Sequence, residues 1–275
     1  MSLTVSKPTV VRSHYAKTIW SLVMRDLRVL ISRWVMFLVR VISQPILIVF
    51  VLAYVFPKIG QGVGGNAAAE AKFSTLLVAG VVGISIITQG IQAVALPLVQ
   101  EFSFTREIED RVLAPVPIWG VATAKIISGA LQALIAALVV FAVSIFIPAT
   151  SVHLSVNWPL VLAIIPIAAV LSGALGLAIG TIVPPTQVAF IFAIILLPMT
   201  FLGAVYYPWT SLGAIPWLKW AVLINPLIYI NEGLRAGLTT GIQHMNLFGV
   251  YAGLLGFLLF LLLIGIRGFK KRVIS

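Results

Sequence analysis

Six long apolar segments constrain the fold of this sequence more than any other feature. They cover residues 34–56, 73–99, 121–147, 158–183, 187–206 and 247–266. A membrane-spanning helix needs roughly 20 apolar residues, so each segment can cross a bilayer. The chain is 61% hydrophobic and 9% charged, whereas a soluble domain is about 25% charged, which excludes a soluble enzyme. The sequence therefore predicts an all-α polytopic membrane protein with six transmembrane helices.

Basic residues are distributed unevenly between alternate loops. One side of the predicted membrane domain has fourteen Lys and Arg residues, and the other side has only Lys58, Lys72, Lys219 and Arg235. Loops rich in Lys and Arg remain in the cytoplasm, so we expect both termini to be cytoplasmic in the plasma (inner) membrane of a prokaryote. The net charge of +11 is then explained by topology and attraction to membrane lipid, and nucleic acid is not an expected partner.

The N-terminal arm, residues 1–34, contains an amphipathic pattern. Apolar side chains recur at spacings of three and four between residues 13 and 34, opposite a basic and polar face. This pattern predicts an interface helix that lies in the headgroup layer, with Arg25, Arg28 and Arg33 as its candidate interface residues. The helix either anchors the topology or also supports a cytoplasmic partner. The permease domain follows over residues 35–266, and residues 267–275 form a basic cytoplasmic tail.

The second cytoplasmic element reads QEFSFTREIEDRVLAPVP over residues 100–117 and holds four of the seven acidic residues. We predict a short helix over about 100–114 that projects from the membrane. A solvated loop without a partner is the alternative, but the apolar side chains among the charges favour docking on a soluble protein. The candidate docking residues are Glu101, Phe102, Phe104, Arg106, Glu107, Glu109 and Arg111.

The predicted spans lack the residues that would let the chain work alone. No ionisable residue lies near the middle of a span, which argues against an ion-coupled carrier. The sequence has no P-loop motif, no cysteine and three isolated histidines, which argues against a membrane enzyme and against a bound metal or cofactor. A stand-alone channel or ion-coupled carrier and a membrane assembly scaffold stay open as alternatives. Any work that the protein performs needs energy from a partner.

Uncharged polar residues remain as candidates for a substrate path. Gln44, Gln89, Gln92 and Gln132 lie in the cytoplasmic halves of the first three spans. They form either interhelical hydrogen bonds or the wall of an inward-opening cavity. In the fifth span, Pro198 predicts a kink, and the residues that follow it are further path candidates, namely Met199, Thr200 and Phe201.

The stretch FLGAVYYPWTSLGAIPWLKWAVLINPLIYINEGLRAGL over residues 201–238 carries a family resemblance. It resembles the late extracellular region of the type-2 ABC transporter permeases, the family of drug-resistance and nodulation exporters. The match is strongest at Asn225, Pro226, Leu227, Tyr229, Glu232, Gly233, Leu234 and Arg235. The segment 100–117 resembles the coupling segment of that family, although Ser103 stands where many relatives carry Gly.

The resemblance implies a fold and a function. It implies a cytoplasmic coupling helix and an extracellular re-entrant helical hairpin over about 207–235, whose re-entrant or gate residues are Tyr206, Tyr207, Asn225, Pro226, Tyr229, Glu232 and Arg235. It implies the permease subunit of an ATP-driven exporter for an amphipathic drug, lipid or lipid-linked glycan. Two ATP-binding cassette subunits would bind ATP and Mg²⁺, and a second permease copy would complete a homodimer or a pair with a close relative. Whether Glu232 and Arg235 form a gate or a structural cap stays open.

Overall fold

A computed structural model describes residues 15–63, 65–102 and 117–274 of the chain. Within these ranges the protein is helical and contains no β-strand. Its helices are α1 (Tyr15–Ser32), α2 (Trp34–Val49), α3 (Phe56–Lys58), α4 (Ala67–Gln100), α5 (Ile118–Phe146), α6 (Trp158–Ile182), α7 (Val188–Phe201), α8 (Pro216–Ala221), α9 (Pro226–Leu238) and α10 (Leu247–Ile274). A π-helical segment, Phe50–Val55, joins α2 to α3.

Five helical stretches in the described residues are long and apolar enough to cross a membrane. They are Trp34–Lys58, Ala67–Gln100, Ile118–Phe146, Trp158–Ile182 and Leu247–Val273. The predicted fifth span, residues 187–206, instead contains α7, which has 14 residues. At a rise of 1.5 Å per residue such a helix is about 21 Å long, shorter than the roughly 30 Å hydrocarbon core. The count of six complete spans therefore stays a prediction.

Asparagine caps fix the starts of three helices. The side-chain oxygens of Asn66, Asn157 and Asn225 accept hydrogen bonds from backbone N–H groups in the first turns of α4, α6 and α9. A proline also occupies the first turn of α6 and of α9, where its missing N–H has no cost and its φ angle suits the helix. These local signals determine the residues at which the three helices begin.

The centre of the bundle is α4, which packs against α5 and α6. In the most apolar 18-residue stretch of α4, 83% is buried inside the protein. The same share is 22% for Trp34–Lys58 and 17% for α10. Glycines allow this packing: a Cβ at Gly173 would lie 2.8 Å from the carbonyl oxygen of Ile126, and a Cβ at Gly176 would lie 2.9 Å from that of Ile91. The small-residue face of α6 therefore lets three backbones approach closely.

The bundle has two chemically different ends. Asp26 of α1, Glu101 after α4 and Arg272 near the end of α10 lie at one end, which we call the basic end. The segment Phe50–Val55, the start of α4, residues 147–157 and the end of α9 lie at the other, which we call the opposite end. Backbone hydrogen bonds join these elements, from the Ala149 N–H to the Ala53 carbonyl at 2.9 Å and from the Ser155 N–H to the Leu238 carbonyl at 3.1 Å.

Candidate functional site

A buried ion-pair cluster lies at the basic end. The Lys125 ammonium on α5 donates a hydrogen bond of 2.7 Å to the Glu101 carboxylate, just after α4. The same nitrogen lies 3.5 Å from the Asp26 carboxylate on α1. The Lys125 and Glu101 residues are 5% and 8% exposed, so their charges depend on each other for solvation. The cluster connects α1, the end of α4 and α5 at the second residue of the predicted coupling segment.

The next residue of that segment, Phe102, contacts the C-terminal helix. The Arg272 guanidinium lies 4.7 Å from the centre of the Phe102 ring, a cation–π contact, and the Phe269 ring lies 5.7 Å away. Arg272 also donates to the backbone carbonyls of Gly180 and Thr181, at 3.1 and 3.0 Å. The base of the predicted coupling segment is thus fixed to α10 and to the end of α6.

The other predicted coupling residues lie outside the described ranges. They are Phe104, Arg106, Glu107, Glu109 and Arg111. Their assignment as docking residues stays a prediction from the sequence.

A cavity of about 810 Å³ opens beside the ion-pair cluster. It lies between α1, α2, α4 and α5. Its charged lining consists of Arg25, Asp26, Arg33, Arg40, Glu101 and Lys125, and its remaining lining is largely apolar. Two of the three predicted interface residues, Arg25 and Arg33, therefore line the cavity, whereas Arg28 does not. All three side chains are exposed.

The four predicted path glutamines lie at the same cavity or at a smaller one that continues from it. The smaller cavity, about 30 Å³, is lined by Arg40, Gln44, Gln89 and Gln92 among others. Gln92 and Gln132 line the larger cavity. The Gln89 amide nitrogen lies 3.5 Å from the Gln132 amide oxygen, so this pair also joins α4 to α5. Both interpretations of these glutamines from the sequence agree with this geometry.

The structure separates the fifth-span candidates from the glutamines. Neither described cavity is lined by Pro198, Met199, Thr200 or Phe201. Instead the Met199 carbonyl accepts a hydrogen bond of 2.8 Å from the Asn225 side chain, and the Thr200 hydroxyl donates to the Leu196 carbonyl. The predicted path therefore divides into a group at the basic end and a group that contacts the start of α9.

A second polar centre lies at the opposite end, on one face of α9. Glu232 and Arg235 form an ion pair there, and both residues are 0% exposed. The Glu232 carboxylate also accepts hydrogen bonds from two backbone N–H groups, from Trp209 at 2.8 Å and from Met245 at 2.5 Å. One carboxylate thus joins α9 to the segment before α8 and to the segment before α10.

Arg235 and Asn231 bind the turn that follows α7. Arg235 donates to the Ala204 carbonyl at 2.8 Å, and Asn231 donates to the Gly203 carbonyl at 2.6 Å. Ala204 has a φ angle of +54°, in the left-handed region that costs free energy for a residue with a Cβ. The two side chains of α9 therefore stabilise a strained turn.

The other predicted gate residues surround this centre. The Tyr229 hydroxyl donates to the Leu223 carbonyl at 3.0 Å, and the Tyr207 hydroxyl donates to the Phe201 carbonyl at 3.2 Å. The Tyr206 ring packs against that of Phe201, with 6.1 Å between ring centres. Pro226 begins α9 beside the capping residue Asn225. These contacts make residues 199–235 one interlocked unit.

Several important residues were not candidates from the sequence. Lys125 and Arg40 lie near the predicted cytoplasmic ends of the third and first apolar segments, and the sequence gives no site role to them or to Asp26, Asn231 and Arg272. A signal did exist for Lys125, because a lone ionisable residue inside an apolar segment calls for a partner. Within the described residues, no three His, Asp or Glu side chains are grouped as a metal site would require.

Comparison with known proteins gives consistent matches. Residues 17–239 match the profile of the family described as "ABC-2 type transporter". The chain is 27% identical over 231 residues to the inner membrane transport permease YadH of Escherichia coli strain K12, which covers 83% of this chain and 86% of YadH. The YadH of Shigella flexneri gives the same identity and coverage.

Proposed function

The chain belongs to the ABC-2 type transporter family, and on this premise we propose that it is the permease subunit of an ATP-driven exporter. The proposed substrate is an amphipathic molecule, a drug, lipid or lipid-linked glycan, that leaves the cytoplasm or the inner leaflet. Transport would proceed by alternating access within a dimer of two permease chains, or of this chain and a close relative.

Family membership implies a multi-pass inner membrane transport protein with an ATP-binding cassette partner. The permease itself has no expected catalytic role, and ATP with Mg²⁺ would be bound by the partner. We propose two such partner subunits, one beneath each permease chain.

We propose that the basic end faces the cytoplasm. Its excess of Lys and Arg follows the rule for cytoplasmic loops, and α1 has the basic amphipathic character of a helix in the headgroup layer. In this orientation α7 and the turn after it provide the fifth of six crossings, and residues 207–235 form a re-entrant hairpin in the outer leaflet. Irregular backbone at that depth is tolerated only when protein contacts satisfy it, and the α9 polar centre supplies such contacts.

The fixed base of the coupling segment is the observation that most supports coupling to a partner. Glu101 contacts α5 and α1 through Lys125, and Phe102 contacts α10 through Arg272. A force applied to Glu101 or Phe102 would therefore be transmitted to α5, α1 and α10. This arrangement suits a segment through which nucleotide-driven closure of the partner changes the tilt of the bundle.

The proposal is tested by reversing charge in the coupling segment. We expect the double substitution Glu107→Lys and Glu109→Lys to abolish substrate-stimulated ATP hydrolysis by the permease–ATPase complex in proteoliposomes, because it inverts the acidic docking surface. Glu70→Lys, at the opposite end of α4, is the matched control and should leave stimulation unchanged. Normal coupled turnover in a correctly inserted double variant would refute the coupling assignment.

A further inference from the structure

The cavity at the basic end has a lining that selects one class of ligand. We propose that it binds the anionic headgroup of an amphiphile, with Arg33 and Arg40 as the principal headgroup ligands. The inference rests on the proposed exporter function and narrows its substrate class to anionic lipids or lipid-like molecules.

Among the described residues, the basic side chains that line the cavity outnumber the acidic ones. Four basic and two acidic side chains line it. Lys125 is paired with Glu101 and Asp26, and Arg25 is paired with Asp26. Arg33 and Arg40 have no carboxylate partner among the described residues; Arg40 only approaches the Phe37 ring, at 5.9 Å from its centre. Two guanidinium groups are therefore available to an anion such as a phosphate, which they can bind in a bidentate manner.

The apolar part of the lining indicates that the anion carries a hydrocarbon portion. Val29, Leu30, Met36, Phe37 and Leu96 contribute to the same cavity. A free phosphate would leave this surface in contact with water, whereas an amphiphile would cover it and gain the free energy of apolar burial. The ligand that fits both halves of the lining is a lipid headgroup with its attached chain, rather than free phosphate.

The smaller cavity extends the polar surface beyond Arg40. Its lining adds the side chains of Gln44, Ser85, Thr88 and Gln89, which offer amide and hydroxyl groups to the ester or hydroxyl oxygens of a headgroup. The same arginines repel a cationic amphiphile, because like charges at short range disfavour binding. The cavity therefore selects against cationic drugs.

The position of the cavity connects binding to the coupling segment. Glu101 and Lys125 line the cavity and also form the ion pair at the base of that segment. An anion at Arg33 and Arg40 would lie beside this ion pair and alter its electrostatic surroundings. Binding of the anion in the cavity would thus affect the segment on which the partner ATPase is proposed to dock.

Binding is tested by native mass spectrometry of the full-length chain titrated with dioleoyl phosphatidylglycerol, dioleoyl phosphatidylcholine or glycerol phosphate. We expect tighter binding of phosphatidylglycerol than of either other probe. Juxtamembrane basic residues contribute about 1 kcal/mol each, so Arg33→Gln and Arg40→Gln should each weaken phosphatidylglycerol binding about fivefold, and together about 25-fold.

Matched variants separate a built site from general surface attraction. Arg267→Gln removes the same charge from an exposed position of α10 outside the cavity and should leave affinity unchanged, while the double variant Arg33→Lys and Arg40→Lys should retain most of it. Equal affinity for the two lipids, or an equal loss in Arg267→Gln, would overturn the proposal. Glycerol phosphate bound as tightly as phosphatidylglycerol would show that the ligand is a free phosphate and would also overturn it.

The binding measurement is independent of the ATPase. The arginine variants could bind phosphatidylglycerol as tightly as the unchanged chain while the double charge reversal in the coupling segment still abolishes stimulated ATP hydrolysis. In that case the headgroup site is wrong and the exporter function stands. If phosphatidylglycerol binds as expected but no ATPase is stimulated, the site is correct and the exporter function is wrong.

Discussion

Two buried charged groups, Glu232 and Lys125, show how single residues organise the two ends of this bundle. Each group binds partners from several segments. Glu232 accepts hydrogen bonds from Trp209, Met245 and Arg235, and Lys125 forms ion pairs with Glu101 and Asp26. A buried charge is stable only when its partners are in place. Removing either group should therefore disturb more than one element.

For the α9 centre, we expect Glu232→Gln and Arg235→Gln each to destabilise the protein by about 3–5 kcal/mol, because each strands a buried opposite charge. The double variant should lose less than the sum of the two, since the pair is removed together. Thermal stability in detergent measures both effects. Lys58→Gln, at an exposed cation of the same end, is the control; single variants as stable as this control would contradict the buried pair.

For the basic end, Lys125→Gln should lower thermal stability, because it leaves the Glu101 and Asp26 carboxylates without their shared cation. Adding Glu101→Gln should restore part of the loss. The exposed cation Lys17 on α1 provides the matched control, Lys17→Gln, which should be neutral. If Lys125→Gln unfolds at the same temperature as Lys17→Gln, the ion-pair cluster does not support the coupling segment.

At the scale of secondary structure elements, the segment between α7 and α10 differs most from an ordinary loop. It consists of the 3₁₀ helices Trp209–Ala214 and Val222–Ile224 with the short helices α8 and α9. Polar contacts of α9 tie these pieces together, while large aromatic residues project outward: Trp217 is 73% and Trp220 is 68% exposed in the chain. Tryptophan at such positions suits the membrane interface.

Cysteine labelling tests whether these tryptophans lie in lipid. The chain has no cysteine, so Trp217→Cys and Trp220→Cys can be probed singly with a membrane-impermeant maleimide. We expect slow labelling in membranes and fast labelling after denaturation, because lipid rather than protein covers both positions. Gln61→Cys, at an exposed position between α3 and α4, should label readily. Labelling of Trp217→Cys as fast as Gln61→Cys would describe an exposed loop instead of a re-entrant hairpin.

At the scale of the whole molecule, patterns local in the sequence predicted most of the architecture. Apolar length identified the long helices, because a membrane-spanning helix needs a long run of apolar residues. The length of α7 was overestimated, since its apolar segment continues past the helix end into the turn at residues 202–204.

Contacts between segments that are distant in the sequence could not be predicted from it. Lys125 and Glu101 are 24 residues apart, and Arg272 is 92 residues from Gly180; no periodicity relates such positions. The pair Glu232–Arg235 was predictable because a spacing of three brings side chains together on a helix. Its backbone partners at Trp209 and Met245 were not, because they depend on how the whole segment folds back on α9.

The central claim, that an ATP-binding cassette subunit drives this permease through the coupling segment, is tested most directly by site-specific crosslinking. A photoreactive maleimide would be attached to Glu107→Cys in one variant and to Lys58→Cys in another, within the purified complex. We predict a crosslink to the ATP-binding cassette subunit from position 107 and none from position 58. A crosslink from position 58, or none from position 107 in an intact complex, would contradict the account.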